Sequence, residues 1–409
     1  MNRYAMLNGQ LTTNNLHNIE VVRGEKQNLI DVNNRRYVDL SSGLWNVSLG
    51  YNEELNSNIK DKFMELLDKN IPYVDMTSYF HELYNSVAEK ILDFIDDKNF
   101  DRVFYTNSGS ESLELSIKIV NSIMRGKYIV SFSDSYHGTF YGGMSISGIS
   151  KDIVENHNPN YDNRLTLKMP SNIEEEENFI AYIEKKGNDI GAIFIEPIIG
   201  SGGIKFCSLN FYNTLMKLCK QKDIIVVFDE VATGFYKTGK KFFFKYLEHI
   251  PDMLCLSKGL NNGTLPSGTV VISKKIEEIL SGKIMKHMST QNGNLLCLST
   301  VQSTLEYYKK KKSEIESNIK KINCINNELV REYSCNARIF GTIMAIQVNK
   351  NSLNNILEDI KQSGILVYRF VTKEESGISI FPPINIDDKL YRKSLKLILK
   401  TIKKYGDIQ

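Results

Sequence analysis

The chain has 409 residues, enough for two to three domains of about 150 residues or one large α/β domain with an appendage. Its 42% hydrophobic and 24% charged content is that of an ordinary globular protein and argues against long disorder. Fifty-one basic against 48 acidic residues leave a net charge of only +3, too balanced for a nucleic-acid footprint. The densest basic run, residues 309–312, lies inside a helix-like pattern and reads as a solvated face. No apolar stretch is long enough to span a bilayer, and the polar residues 1–9 lack the apolar core of a signal peptide. Cys207, Cys219, Cys255, Cys297, Cys324 and Cys335 form no CxxC pair and mostly sit in apolar runs. Reduced, buried thiols in a cytoplasmic protein are expected, without a disulfide frame. The histidines show no paired-ligand spacing, so no metal is expected.

In chain order, strand-like runs at 29–32 and 37–39 come first, too few to bury a core alone. Residues 1–51 are therefore expected to pack with the C-terminal part. From 52 to 290, strand-like runs at 102–105, 128–132, 192–195, 224–228, 253–256 and 269–272 alternate with helix-like stretches such as 111–124 and 211–220. That alternation predicts an α/β domain, its mainly parallel sheet flanked by helices. Residues 291–409 carry a long helical pattern at 295–333, strands near 339–348 and 378–381, and helices at 353–362 and 389–404. They predict a smaller α+β domain.

Three strand-to-loop junctions carry the chemistry. Asn107-Ser108-Gly109-Ser110-Glu111 joins a strand to a helix start, where free N–H groups and the positive helix end suit a phosphate. The plainer alternative is a capped helix start, with Ser110 as cap. Asp229 and Glu230 end an apolar strand at the edge where open α/β sheets bind ligands; a strand-end acid capping its own turn is the competing explanation. Ser257-Lys258-Gly259 follows another apolar strand and offers a carbonyl-trapping amine, unless Lys258 is simply solvated. Together, a phosphate cradle, a buried acid and a lysine match what pyridoxal phosphate requires.

With these residues in view, the chain resembles the class III aminotransferases, pyridoxal-phosphate enzymes of fold type I, over nearly its whole length. The phosphate-loop segment is followed in family order by Tyr136-His137-Gly138, then by Glu196-Pro197 with Gly200-Ser201-Gly202-Gly203. Asp229 to Phe235, Pro251 to Leu260, and Thr290 with Gly293-Asn294 complete the order. The resemblance implies that Lys258 forms the Schiff base and shuttles the proton, and that Asp229 keeps the pyridine nitrogen protonated. It implies that Tyr136 and Val231 flank the ring and that Ser108, Gly109 and Ser110 hold the phosphate. Thr290 would close the phosphate of a neighbouring subunit, which makes a homodimer with shared active sites the expected assembly. Glu196 beneath the ring and His137 beside the stacking tyrosine have roles in binding or in packing alone.

Some positions depart from the family pattern. Tyr236 and Lys237 replace the usual glycine and arginine after Thr233-Gly234-Phe235, and Ser201 stands where ornithine- and GABA-type members carry a gating glutamate. Gly43-Leu44-Trp45 resembles the ω-transaminase branch, with Trp45 either a pocket wall or a core residue. Arg369, a candidate carboxylate clamp, follows Gly364-Ile365-Leu366-Val367-Tyr368 one place late; on a strand it points away unless a bulge restores it. The expected reaction moves an amino group from a primary amine or ω-amino acid to a keto acid or aldehyde. Its products are of a kind used in cofactor or natural-product biosynthesis, including peptide tailoring. An aminomutase, racemase or decarboxylating transaminase is the rival on the same scaffold. A non-catalytic scaffold would show no spectral response to amines, and a kinase is disfavoured because the phosphate segment lacks the glycine-rich loop ending in Lys-Ser/Thr.

Overall fold

A computed structural model describes residues 19–149 and 162–406. The N-terminal strands β1 (Val21–Glu25), β2 (Asn28–Asp31) and β3 (Arg36–Asp39) form an antiparallel meander. Helices α1 (Glu53–Asp68) and α2 (Glu82–Ile95) lead into the central sheet. That sheet is built from β4 (Phe100–Thr106), β5 (Tyr128–Phe132), β6 (Arg164–Leu167), β7 (Ile190–Ile195), β8 (Ile225–Asp229), β9 (Met253–Leu256) and β10 (Gly268–Ser273). The spatial order is β4-β10-β9-β8-β7-β5-β6. The run from β9 to β6 is parallel throughout, and β10 is antiparallel to both of its neighbours.

Every residue of β7, β8, β9 and β10 is buried, so both faces of the sheet are covered and their sequences are nearly continuous apolar runs. The covering helices include α3 (Gly109–Ile123), α4 (Tyr141–Ile146), α5 (Ile173–Lys186), α6 (Leu209–Gln221) and α7 (Lys274–Leu280), while α8 (Leu295–Lys310) packs on α1 and α2. Side-chain caps start many of them: Asn172 accepts from Glu175 N–H, Ser208 from Phe211 N–H and Ser273 from Ile276 N–H.

The expected long helix at 295–333 is two helices: α8 ends at Lys310 and α9 (Lys312–Glu332) starts after Lys311, which caps both. Lys309 and Lys310 complement the carboxyl end of α8, so the basic run marks a helix terminus. The expected strand at 339–348 is a hairpin of β11 (Ala337–Phe340) and β12 (Ile343–Gln347). It turns at Gly341, whose φ of +63° and Cβ position 2.2 Å from the Thr238 carbonyl carbon leave room only for glycine.

Beyond it come α10 (Lys350–Gln362), β13 (Ile365–Leu366), β14 (Tyr368–Val371), β15 (Ser376–Ile380) and α11 (Asp388–Lys404). Strand β13 pairs in parallel with β3, and β11-β12-β15-β14 form a third sheet. Leu40 lies in the same core cluster as Ile346, Ile356, Ile380 and Leu395, so the N-terminal segment contributes to the C-terminal core. Among the described residues no helix is long and apolar enough to cross a membrane.

Glu230 shows how tightly the end of β8 is enclosed. It has no exposed surface, and its carboxyl accepts from Phe244 N–H at 3.0 Å and the Thr233 hydroxyl at 2.8 Å. Burial pushes this carboxyl up to about 7 from an ordinary 4.5, so between those values the folded chain holds a proton that the unfolded chain has released. Stability from that proton is complete below the unfolded value and is lost as pH rises through the folded one. Glu230→Gln, neutral at every pH, is predicted to gain on the wild type in thermal melts as the buffer moves from about pH 5 to about pH 8. A difference in melting temperature that stays constant with pH would show that Glu230 does not titrate on folding.

Candidate active site

The carboxyl ends of β7, β8 and β9 lie side by side, and each has an ionisable residue at its end or within two residues of it: Glu196, Asp229 and Lys258. All three line one cavity of about 440 Å³, together with Trp45, Ser108, Gly109, Ser110, Tyr136, His137 and Val231. A larger groove of about 1100 Å³ beside Gln27, Tyr51 and Asn385 lies apart from these groups.

At the β4–α3 junction the helix cap is Ser108, not Ser110. Ser108 has extended backbone, φ −163° and ψ 165°, and its hydroxyl accepts from Glu111 N–H. Ser110 already lies in the first turn, so the N–H groups of Gly109 and Ser110 have no intrahelical acceptor and open on the cavity. A Cβ on Gly109 would come within 2.9 Å of Val231 Cγ1, so the gap between the helix start and Val231 depends on glycine.

Asp229 is held on both carboxylate oxygens. One accepts from Val231 N–H at 3.1 Å; the other lies 2.9 Å from His137 Nδ1. His137 is buried, its N–H donates to the Ser147 hydroxyl, and its Nε2 has no partner among the described residues. Glu196 accepts from Tyr136 N–H at 3.2 Å and Gly200 N–H at 3.0 Å, so one carboxylate ties the aromatic segment to the glycine-rich turn. Burial raises the Glu196 carboxyl, and Asp229 adds to the rise. Burial also lowers the Lys258 amine, against the opposing pull of Glu196 and Asp229. The result favours a neutral, nucleophilic amine at the end of β9.

Lys258 has φ +47°; its Nζ makes no hydrogen bond among the described residues and lies 4.5 Å from the centre of the Trp45 ring. Trp45 is buried and stacks obliquely on Phe381 at 4.5 Å, with the Tyr368 ring edge-on at 4.9 Å. It is thus both a cavity wall and a packed residue. It ends an unusual turn in which Ser42, Gly43, Leu44 and Trp45 all have φ between 47° and 63°. Left-handed backbone costs about 1–2 kcal/mol for each residue with a side chain, so tertiary contacts must hold it. Asp39 does so by accepting from Ser41 N–H, the Ser41 hydroxyl, Gly43 N–H and the Tyr51 hydroxyl.

Two of the residues singled out in the sequence stand outside the cavity. Arg369 is exposed and donates to Asn354 Oδ1 at 3.3 Å. The register that pairs Arg369 with Ile378 and Tyr368 with Ser379 is regular, with no bulge to turn the guanidinium inward, and Tyr368 lines the cavity instead. Alternation along the strand is the signal that finds Tyr368. Thr290 is exposed, two residues from Asn292, whose side chain accepts from Asn107. Ile149 and Ala232 also line the cavity, with only their apolar character to mark them in the sequence.

These residues fit pyridoxal 5′-phosphate. The open helix start suits the phosphate, the gap between Gly109 and Val231 admits a flat group, and the fixed Asp229 carboxylate suits a protonated ring nitrogen.

The model of the class-III aminotransferase family matches residues 11–402. The adenosylmethionine-8-amino-7-oxononanoate aminotransferase of Helicobacter pylori is 27% identical over 379 residues, covering 86% of this chain and 80% of that protein. The omega-aminotransferase of Caulobacter vibrioides is 28% identical over 305 residues, 67% of each chain. The solved structure of adenosylmethionine-8-amino-7-oxononanoate aminotransferase from Methanocaldococcus jannaschii has a TM-score of 0.85 at 26% identity, covering 95% of this chain and 93% of that one. The chain belongs to the class-III aminotransferases, fold type I enzymes that transaminate with pyridoxal 5′-phosphate.

Proposed function

We propose that Lys258 is the reactive amine and that the donor is a primary amine or ω-amino acid, with a keto acid or aldehyde as acceptor. The observation that carries this reading is the partly buried, unbonded Lys258 amine opening on the same cavity as the fixed Asp229 carboxylate. Pyridoxal 5′-phosphate, when bound, supplies a carbonyl for amine capture and a ring that withdraws electrons from the bond being broken.

Lys258 would anchor it covalently, be displaced by the donor and then, as free base, take the proton from the donor carbon at Nζ. Asp229, oriented by His137, would face the ring nitrogen. The N–H groups of Gly109 and Ser110 and the hydroxyls of Ser108 and Ser110 would hold the phosphate, with Tyr136 and Val231 flanking the ring. Glu196 would keep Tyr136 in place through its backbone bond.

The donor class follows from the wall. Leu44, Trp45, Ile149 and Tyr368 are apolar or aromatic, and no arginine is among the described lining residues. That suits an amine-bearing carbon without a carboxylate beside it. A homodimer is supported by exposed Tyr79, Phe80, Ile284 and Met288. Thr290, exposed beside them in the chain, would then meet the partner's cofactor phosphate. A cytoplasmic setting accords with the free cysteines.

Mixing the purified chain and pyridoxal 5′-phosphate with a panel of amines, without acceptor, tests the reading. Selected amines are expected to bleach the lysine-dependent visible band, and a keto acid to restore it. Lys258→Ala is predicted to lose the band and to cut turnover by about 10⁴-fold or more. Wild-type turnover in that variant would sink the assignment. Gly109→Ala, pushed against Val231, is predicted to weaken cofactor retention about tenfold in equilibrium dialysis, with the fold intact. Unchanged retention would place the phosphate elsewhere.

A further inference from the structure

Lys237 is a buried amine that the reaction does not use. It is 1% exposed, forms no ion pair within 4.0 Å among the described residues, and stands after the turn that follows β8. Its Nζ donates to the Ser42 hydroxyl and to the Pro382 carbonyl, each at 3.3 Å. The Ser42 hydroxyl in turn donates to the Phe381 carbonyl at 2.5 Å. The Lys237 carbonyl accepts from the N–H and hydroxyl of Thr342. One residue therefore joins the turn after β8, the N-terminal turn, the chain after β15 and the β11–β12 hairpin.

The placement matters because Ser42 opens the left-handed turn that ends at Trp45. Asp39 holds that turn from one side; the Lys237–Ser42–Phe381 chain holds it from the other. Phe381 is also the residue on which the Trp45 ring stacks. The strained backbone, the indole and its packing partner are thus fastened together, and the indole covers Lys258 Nζ at 4.5 Å.

We propose that Lys237 is a positioning residue for Lys258: it pins the left-handed turn of residues 42–45 to the backbone of Phe381 and Pro382, and so lays the Trp45 ring over the reactive amine. The proposal rests on the reading of Lys258 as that amine. A lysine is suited to the task because its amine, protonated or neutral, carries at least two N–H donors and so serves two acceptors at once from a single point. The charged groups that act on it are Asp39 and Lys258. Burial lowers its own amine to about 7, so it adds little positive charge beside Lys258 in its neutral form and still donates hydrogen bonds.

Trp45 is the chain's single tryptophan, so its emission reports on this turn alone. The test uses the full-length chain. Lys237→Met keeps the length and removes the donors; it is expected to shift Trp45 emission to the red, increase acrylamide quenching and lower kcat/KM about 10²-fold through misplacement of the indole. Lys237→Arg retains a cation with several donors and is expected to recover most of both signals. Ser42→Ala breaks the link while leaving Lys237 its Pro382 acceptor, and is expected to shift emission in the same direction. Should Lys237→Met fail to fold, Ser42→Ala decides.

Unchanged Trp45 emission and quenching in a folded Lys237→Met or Ser42→Ala chain overturns the proposal, as does an arginine variant no closer to wild type than the methionine one. The emission signal needs no turnover. An emission shift in a chain whose Lys258→Ala variant stays active would therefore overturn the Lys258 assignment and leave the pin standing.

Discussion

The carboxylate of Asp229, held between His137 Nδ1 and Val231 N–H at the end of a wholly buried strand, is the constraint on which the rest depends. An ionisable group in such a place is costly unless its surroundings are built around it. Here they are built by strand order. Strand β8 has β7 on one side and β9 on the other, all three parallel, so Glu196, Asp229 and Lys258 emerge at the same edge. Burial raises Glu196 and lowers Lys258, moving both toward neutrality. What remains is a fixed acceptor for a ring cation and a free amine for a carbonyl, the two demands of the cofactor.

The second dependence runs through the N-terminal segment. Strand β3 pairs with β13 and delivers Asp39 to the start of the left-handed turn, which delivers Trp45 to the cavity. Positive φ at Ser42, Leu44 and Trp45 is held by Asp39 just before the turn and by two groups distant in sequence, Lys237 and the Phe381 carbonyl. A wall built this way is rigid only while the parts of the chain it joins stay together. The Trp45 wall of the cavity is thereby tied to the packing of the C-terminal core, which Leu40 also enters.

Much of this was legible in the sequence, for physical reasons. The central strands are continuous apolar runs because both their faces are covered, and a polar residue at the end of such a run must lie at an edge; that puts Asp229 and Lys258 at the sheet edge, while the roles expected of them came from their combination with the junction at 107–111 and from the family resemblance. The phosphate segment was legible as a strand-to-helix junction, yet the cap is Ser108, because extended backbone one residue earlier turns its hydroxyl toward Glu111 N–H. Arg369 was readable only to within one place, since pairing partners, unlike alternation, cannot be seen in one strand. The break at Lys311 was hidden because apolar spacing continues on both sides of it. The left-handed turn left no trace, as serine, leucine and tryptophan have no preference for it and only tertiary contacts impose it.

The most direct test of the account is the 15N resonance of pyridoxal 5′-phosphate labelled at its ring nitrogen and bound to the full-length chain near neutral pH. A protonated pyridine nitrogen is expected in the wild type and a neutral one in Asp229→Asn. A neutral ring nitrogen in the wild type, or one unmoved by the substitution, would contradict it.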